Sequence, residues 1–134
     1  MNQQQIIKEI ETHHIRWIQI HFTDLVGGLR VFHVPADRFI KDDVLAKGSR
    51  FDGSSVGFRK VERSDMLAVP DPDTFLVLPH LEGEALIRAN LCDVDYKPYR
   101  AGPRHILHRA VDTAKSQGFD SIMISPEIEF YAFS

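Results

Sequence analysis

The sequence predicts an α+β fold in which a small sheet packs against a helix, and three observations carry that prediction. Apolar residues alternate over residues 15–22, and a second strand-like run over residues 29–34 follows a glycine-containing turn. A helical stripe then opens at Pro35-Ala36-Asp37, and three further short apolar runs lie beyond it.

In chain order, Ile6, Ile7 and Ile10 share one face of a short first helix that ends near Thr12-His13-His14. In the first strand Ile18, Ile20 and Phe22 point one way, with Trp17, Gln19 and His21 opposite. Trp17 is expected in the core. Thr23-Asp24 and Gly27-Gly28 mark the turn of a hairpin. The second helix carries Phe39, Ile40, Val44 and Leu45 as one unbroken element, and Gly48 stops it as a C-terminal cap. Residues 66–69 and 75–78 read as short strands around a proline-aspartate turn. Residues 86–94 read as a longer strand with Arg88, Asn90 and Cys92 on one side. Two prolines and a glycine within residues 95–103 suggest a linker. Beyond it, Ile106, Leu107, Ala110, Val111 and Ala114 form a helical stripe closed by Gly118, and residues 121–124 and 127–133 read as strands. These last elements are expected to begin a second domain that is cut short.

Composition narrows the functional classes. The 134 residues are 43% hydrophobic and 26% charged, as in an ordinary soluble domain able to bury a core. A net charge of -3 gives no basic footprint for nucleic acid or an anionic membrane. Cys92 stands alone and has no internal disulfide partner; it reads as a buried small hydrophobe. The start Met1-Asn2-Gln3-Gln4-Gln5 lacks the pattern of a signal peptide, and no apolar run approaches the roughly 20 residues of a membrane span, so a cytoplasmic location is expected.

Two acidic signals stand out. The first is Phe51-Asp52-Gly53-Ser54-Ser55, a loop in which glycine and serines surround one carboxylate. These residues make good Asx turns, and they equally suit a backbone that must come close to a ligand. The second is Glu127-Ile128-Glu129, which on a strand places two carboxylates on one face, roughly 6.5–7 Å apart. Hard oxygen donors so spaced can hold divalent cations, although a solvated strand face has the same pattern. His105 and His108, three apart on the last helix, have no third ligand at suitable spacing and read as surface residues. His13-His14 suits a helix end, and Arg100 and Arg104 read as solvated charge.

The order of motifs adds to these readings. Phe22-Thr23-Asp24 with Gly27, Phe51-Asp52-Gly53-Ser54-Ser55, Ser64-Asp65-Met66, Pro70-Asp71-Pro72-Asp73-Thr74-Phe75, Pro103-Arg104 and Pro126-Glu127-Ile128-Glu129-Phe130 succeed one another at fitting intervals. In this the chain resembles the amino-terminal third of a glutamine synthetase, of the bacterial and archaeal kind. One difference is a segment between Ser55 and Ser64 that is one residue shorter than the usual pattern.

The resemblance implies a β-grasp domain over residues 1–100, and over residues 101–134 the start of a catalytic domain. It implies ATP-dependent ligation of ammonia to glutamate through γ-glutamyl phosphate, with Mg2+ or Mn2+ bound. ATP itself would be held mainly by residues outside this sequence. Carried over by position, Asp52 matches the aspartate that reaches a neighbouring subunit's active site, attracts ammonium and assists its deprotonation. Ser55 lines that site, and Asp65 supports it. Glu127 matches a ligand of the metal near the ATP phosphates, and Glu129 matches one near the substrate. The implied partners are glutamate, ammonium, ATP and the neighbouring subunit of a homo-oligomeric ring. With only two metal ligands present, the 134 residues are not expected to be active alone. The alternatives are a ligase that joins glutamate to a larger amine, and a free-standing β-grasp interaction module or truncated ring subunit.

Overall fold

The computed structural model describes residues 1–133. Helix α1 (Gln3–Thr12) starts at a reciprocal cap: the Asn2 side chain accepts from the Gln5 N–H at 2.9 Å, and the Gln5 side chain accepts from the Asn2 N–H at 2.8 Å. Its Ile6 and Ile10 are buried. Strands β1 (Trp17–Thr23) and β2 (Leu29–Pro35) form the expected antiparallel hairpin, with Ile20 opposite Phe32. Strand alternation buries Ile18, Ile20 and Phe22. The same alternation turns Trp17 outward, 43% exposed and edge-on to His33, so the expectation that it joins the core is corrected.

The single helix expected after Pro35 is two helices, α2 (Ala36–Lys41) and α3 (Val44–Lys47). The break falls at Asp42-Asp43, where Asp43 adopts a left-handed conformation with φ 53°. Aspartate tolerates that region better than most residues and is a weak helix former. The bend lets Phe39 and Val44 both reach the core. Gly48 follows with φ 71°, consistent with its predicted role as a stop.

Four more strands complete the sheet: β3 (Ser49–Asp52), β4 (Asp65–Pro70), β5 (Leu76–Val77) and β6 (Glu84–Cys92). The order is β2-β1-β6-β4-β3, with β5 also paired to β6. β1 and β6 run parallel, and every other pair is antiparallel. Central β6 buries Ala85, Ile87, Ala89 and Leu91 toward the helices. Its last residue, Cys92, is buried as expected, and that burial, aided by nearby Asp93, pushes its thiol pKa up.

Residues 95–103 form an anchored connection rather than a free linker. Tyr99 N–H donates to the Leu91 carbonyl at 2.8 Å, and Pro98 bridges Cys92. Helix α4 (Pro103–Ser116) follows with Pro103 at its first turn, where no backbone donor is missed. Arg104, expected as solvated charge, is half-buried instead, ion-paired to Asp71 and hydrogen-bonded to Asn90 Oδ1 at 3.0 Å. No α4 residue is buried, and Ile106 and Leu107 of its apolar stripe lie exposed. Residues 119–133 hold neither helix nor strand, which corrects the strands expected at residues 121–124 and 127–133. A strand needs a ladder partner, and no strand of the sheet takes up this segment.

Candidate functional site

The sequence marked residues 51–55 as a loop, but its first two residues end strand β3. Phe51 pairs with Met66 and Asp52 with Asp65 across the β3–β4 ladder. Two of the predicted site residues are therefore direct cross-strand neighbours on one exposed face. Like charges so placed weaken a sheet, and packing gives no reason for them. Arg50 Nη1 lies 4.0 Å from Asp65, a solvent-exposed pair of little energetic weight.

From Asp52 the chain turns sharply through Gly53. A Cβ at Gly53 would lie 2.5 Å from Met66 Sδ and 3.1 Å from the Ser64 carbonyl, so this close approach requires glycine. Asp52 Oδ1 accepts from the Ser54 N–H at 2.8 Å and from the Ser54 hydroxyl at 2.6 Å. The Ser55 hydroxyl donates to the Asp52 carbonyl at 2.7 Å. Asp52 thus makes the Asx turn its sequence allows, while staying exposed. The Ser54 hydroxyl and N–H favour the charged form and hold its carboxyl below the usual aspartate range.

The far side of the loop is tied down. Phe58 is buried against Phe22, Phe51 and Tyr99, and its N–H donates to the Gly53 carbonyl at 2.9 Å. The Tyr99 hydroxyl donates to the Phe58 carbonyl at 2.9 Å, and Arg59 pairs with Asp93. Beside the loop opens a cleft of about 530 Å3, lined in part by Arg59, Arg63, Ser64, Asp65, Asp93 and Asp95. Sequence reasoning missed Tyr99 and Arg59, whose roles arise from contacts 41 and 34 residues away in the chain.

Asp24 was read only as a turn residue. It is 2% exposed and accepts from Val26 N–H at 3.0 Å, Gly28 N–H at 2.7 Å and Arg30 Nε at 2.7 Å. Burial opposes its ionisation, but the Gly28, Arg30 and Val26 hydrogen bonds outweigh that and lower its pKa. Asp24 therefore fixes the hairpin rather than serving a site.

The second predicted cluster is not assembled within the described residues. Glu127 and Glu129 are exposed on residues 119–133, outside any strand, so the one-face geometry expected of them is absent. Their carboxylates fit a hard divalent cation chemically. Among the described residues, however, no group of three His, Cys, Asp or Glu side chains is gathered to hold a metal. His105 and His108 lie on α4 with no third ligand among the described residues. Among those residues no helix is long and apolar enough to cross a membrane.

A six-stranded mixed sheet covered by helices on one face, with an exposed aspartate loop at its edge, defines the class of small α+β domain found in the comparisons with known proteins. The family model described as glutamine synthetase, beta-Grasp domain, matches residues 14–97. The chain belongs to the glutamine synthetase family and corresponds to its amino-terminal part. It is 35% identical over 136 residues to a glutamine synthetase of Thermus thermophilus, covering 96% of this chain and 30% of that relative. A glutamine synthetase of Methanosarcina mazei is 32% identical, with 97% of this chain and 29% of the relative covered. A solved structure described as a GmaS/ADP complex superimposes with a TM-score of 0.74 at 26% identity, covering 82% of this chain and 25% of that one. The chain thus spans about 30% of the length of the curated relatives it matches.

Proposed function

We propose that this chain supplies the ammonium-attracting part of an ATP-dependent glutamate–ammonia ligase. In this reading residues 1–100 are its β-grasp domain and residues 101–134 begin its catalytic domain. The observation that carries the reading is Asp52: an exposed carboxylate, held ionised by Ser54, at the tip of a strand and directly across from Asp65. Membership of the glutamine synthetase family supports the reaction class.

The chemistry suits that carboxylate. Ammonium has no lone pair and becomes a nucleophile only after losing a proton. A stable anion attracts and orients the cation, and Asp65 adds to the negative field. A carboxyl with a lowered pKa is a weak base near neutrality. Asp52 therefore binds ammonium first, then takes its proton in an uphill step and passes it to solvent, which frees the lone pair that attacks. Ser55, whose hydroxyl donates to the Asp52 carbonyl, closes the turn and lines the same site. By the family resemblance the site this loop serves is a neighbouring subunit's, in a homo-oligomer, and the exposure of Asp52 at the end of edge strand β3 is compatible with that.

Glu127 and Glu129 would each contribute one carboxylate to Mg2+ or Mn2+ sites, with further ligands from elsewhere in the assembly. When bound, such ions neutralise charge on a transferring phosphoryl group. ATP as co-substrate is supported by the nucleotide named in the GmaS/ADP complex. Glutamate is the acceptor of the phosphoryl group and γ-glutamyl phosphate the intermediate that ammonia attacks. The absence of a long apolar helix among the described residues is compatible with a cytoplasmic enzyme.

The test is an ammonium saturation curve for an active assembly containing this chain. Asp52→Asn keeps the size of the side chain and removes its charge. We expect a higher KM for ammonium with the KM values for glutamate and ATP little changed. A uniform rise in all three would instead make Asp52 a structural loop residue.

A further inference from the structure

A loop that delivers one carboxylate needs a fixed aim, and its hydrogen bonds within residues 52–55 do not supply one relative to the rest of the fold. The contacts that do come from two residues outside that turn. Tyr99 donates its hydroxyl to the Phe58 carbonyl at 2.9 Å and packs edge-on to the Phe58 ring at 5.6 Å. Arg59 lies over the Tyr99 ring at 4.8 Å from its centroid and pairs with Asp93 just past the end of β6. Tyr99 is itself held to β6 through its N–H bond to Leu91, and its carbonyl accepts from the Gly102 N–H at 2.9 Å, one residue before α4 begins.

We infer that Tyr99 and Arg59 are positioning residues that clamp the Asp52 loop to the end of β6 and to the chain segment leading into α4. The inference rests on the proposed role of Asp52 for its functional meaning, but the clamp itself does not. Phe58 N–H and Arg59 N–H both donate to the Gly53 carbonyl, so whatever holds Phe58 and Arg59 also holds the residue next to Asp52. The loop's direction is thereby tied to the direction in which α4 leaves the sheet. A shift of α4 would carry Tyr99 with it and re-aim Asp52.

Two substitutions in the full chain test this. Tyr99→Phe removes one hydroxyl and keeps the ring; Arg59→Met removes the charge and keeps the stem. The readouts are amide hydrogen exchange at Gly53 and Phe58, with the amides of β1 as the reference. Loss of one hydrogen bond should speed exchange at Gly53 and Phe58 by about fivefold to tenfold in either variant. Amides of β1 should change by less than about twofold, since β1 makes no part of the clamp. Unchanged exchange at Gly53 and Phe58 overturns the inference. So does an equal acceleration in β1. None of these readouts depends on ammonium, so failure of the clamp and failure of the proposed role of Asp52 are separate results.

Discussion

Asp24 and Asp52 are both aspartates in turns, and their surroundings give them opposite tasks. Asp24 is enclosed and spends its oxygens on Val26, Gly28 and Arg30, whereas Asp52 is bonded through Oδ1 to Ser54 and remains open to solvent. Asp24→Asn should lower the melting temperature at pH 7 by several degrees, since the charged acceptor of the Arg30 bond is lost. The pH dependence follows from its lowered folded pKa. An aspartate whose folded pKa lies below its unfolded value contributes stability that is complete above about pH 4 and lost as pH falls through the folded value. The difference in thermal stability between the two proteins should therefore shrink on acidification below about pH 4; a difference constant with pH would contradict this. At Gly53, the predicted cost is steric. Gly53→Ala should destabilise the fold by about 1–3 kcal/mol, measured by denaturant unfolding, because Met66 Sδ occupies the space a methyl needs. The sequence showed that Asp52 sits among small residues, but the Met66 contact that makes Gly53 necessary depends on β3–β4 pairing.

Among the elements, those with a clean period were readable and those set by partners were not. β1 and β6 follow alternation, and the structure buries the residues that it selects: Ile18, Ile20, Ile87 and Ala89. The helix over residues 36–47 has a continuous apolar stripe, yet breaks at Asp42-Asp43 because a left-handed residue there lets both halves reach the sheet. Strand β3 was hidden in a stretch that reads as a loop; only its antiparallel match to β4 makes it a strand. Residues 121–133 have strand-like composition but no partner in the sheet. Alternation itself places Trp17 with Gln19 and His21 on the open face of β1, and only its large apolar ring made it read as core. Two substitutions measure that difference. Ile87→Ala should cost about 2–5 kcal/mol, as for other fully buried large-to-small changes. Trp17→Thr, on the open face, should stay within about 0.5 kcal/mol. A large loss at Trp17 in denaturant unfolding would mean that its packing on His33 is structural.

At the scale of the whole molecule, the fold places its stability and its proposed chemistry in different parts. The core joins α1, α2, α3 and the sheet, and no residue of α4 or of residues 119–133 belongs to it. Residues 119–133 nevertheless carry Ile128, Phe130 and Phe133 more than 80% exposed, an apolar surface that favours association. A chain ending at Gly102 should keep the melting temperature of the full chain to within a few degrees and sediment as a smaller species at matched concentration. A full chain that stays monomeric at high concentration would contradict this. The 134 residues alone should form no glutamine from glutamate, ATP and ammonium, because the two carboxylates proposed as metal ligands, Glu127 and Glu129, are gathered with no further ligand among the described residues.

The central claim is that Asp52 exists to bring ammonium to the reaction, and comparing two nucleophiles tests it most directly. Hydroxylamine already has a lone pair at neutral pH and needs neither capture as a cation nor deprotonation. In an active assembly containing this chain, Asp52→Ala should lower kcat/KM for ammonium by about 10²–10⁴, the usual range for an acid–base contribution, and lower it far less for hydroxylamine. Equal losses with both nucleophiles would contradict the account and leave Asp52 as a residue that only shapes its loop.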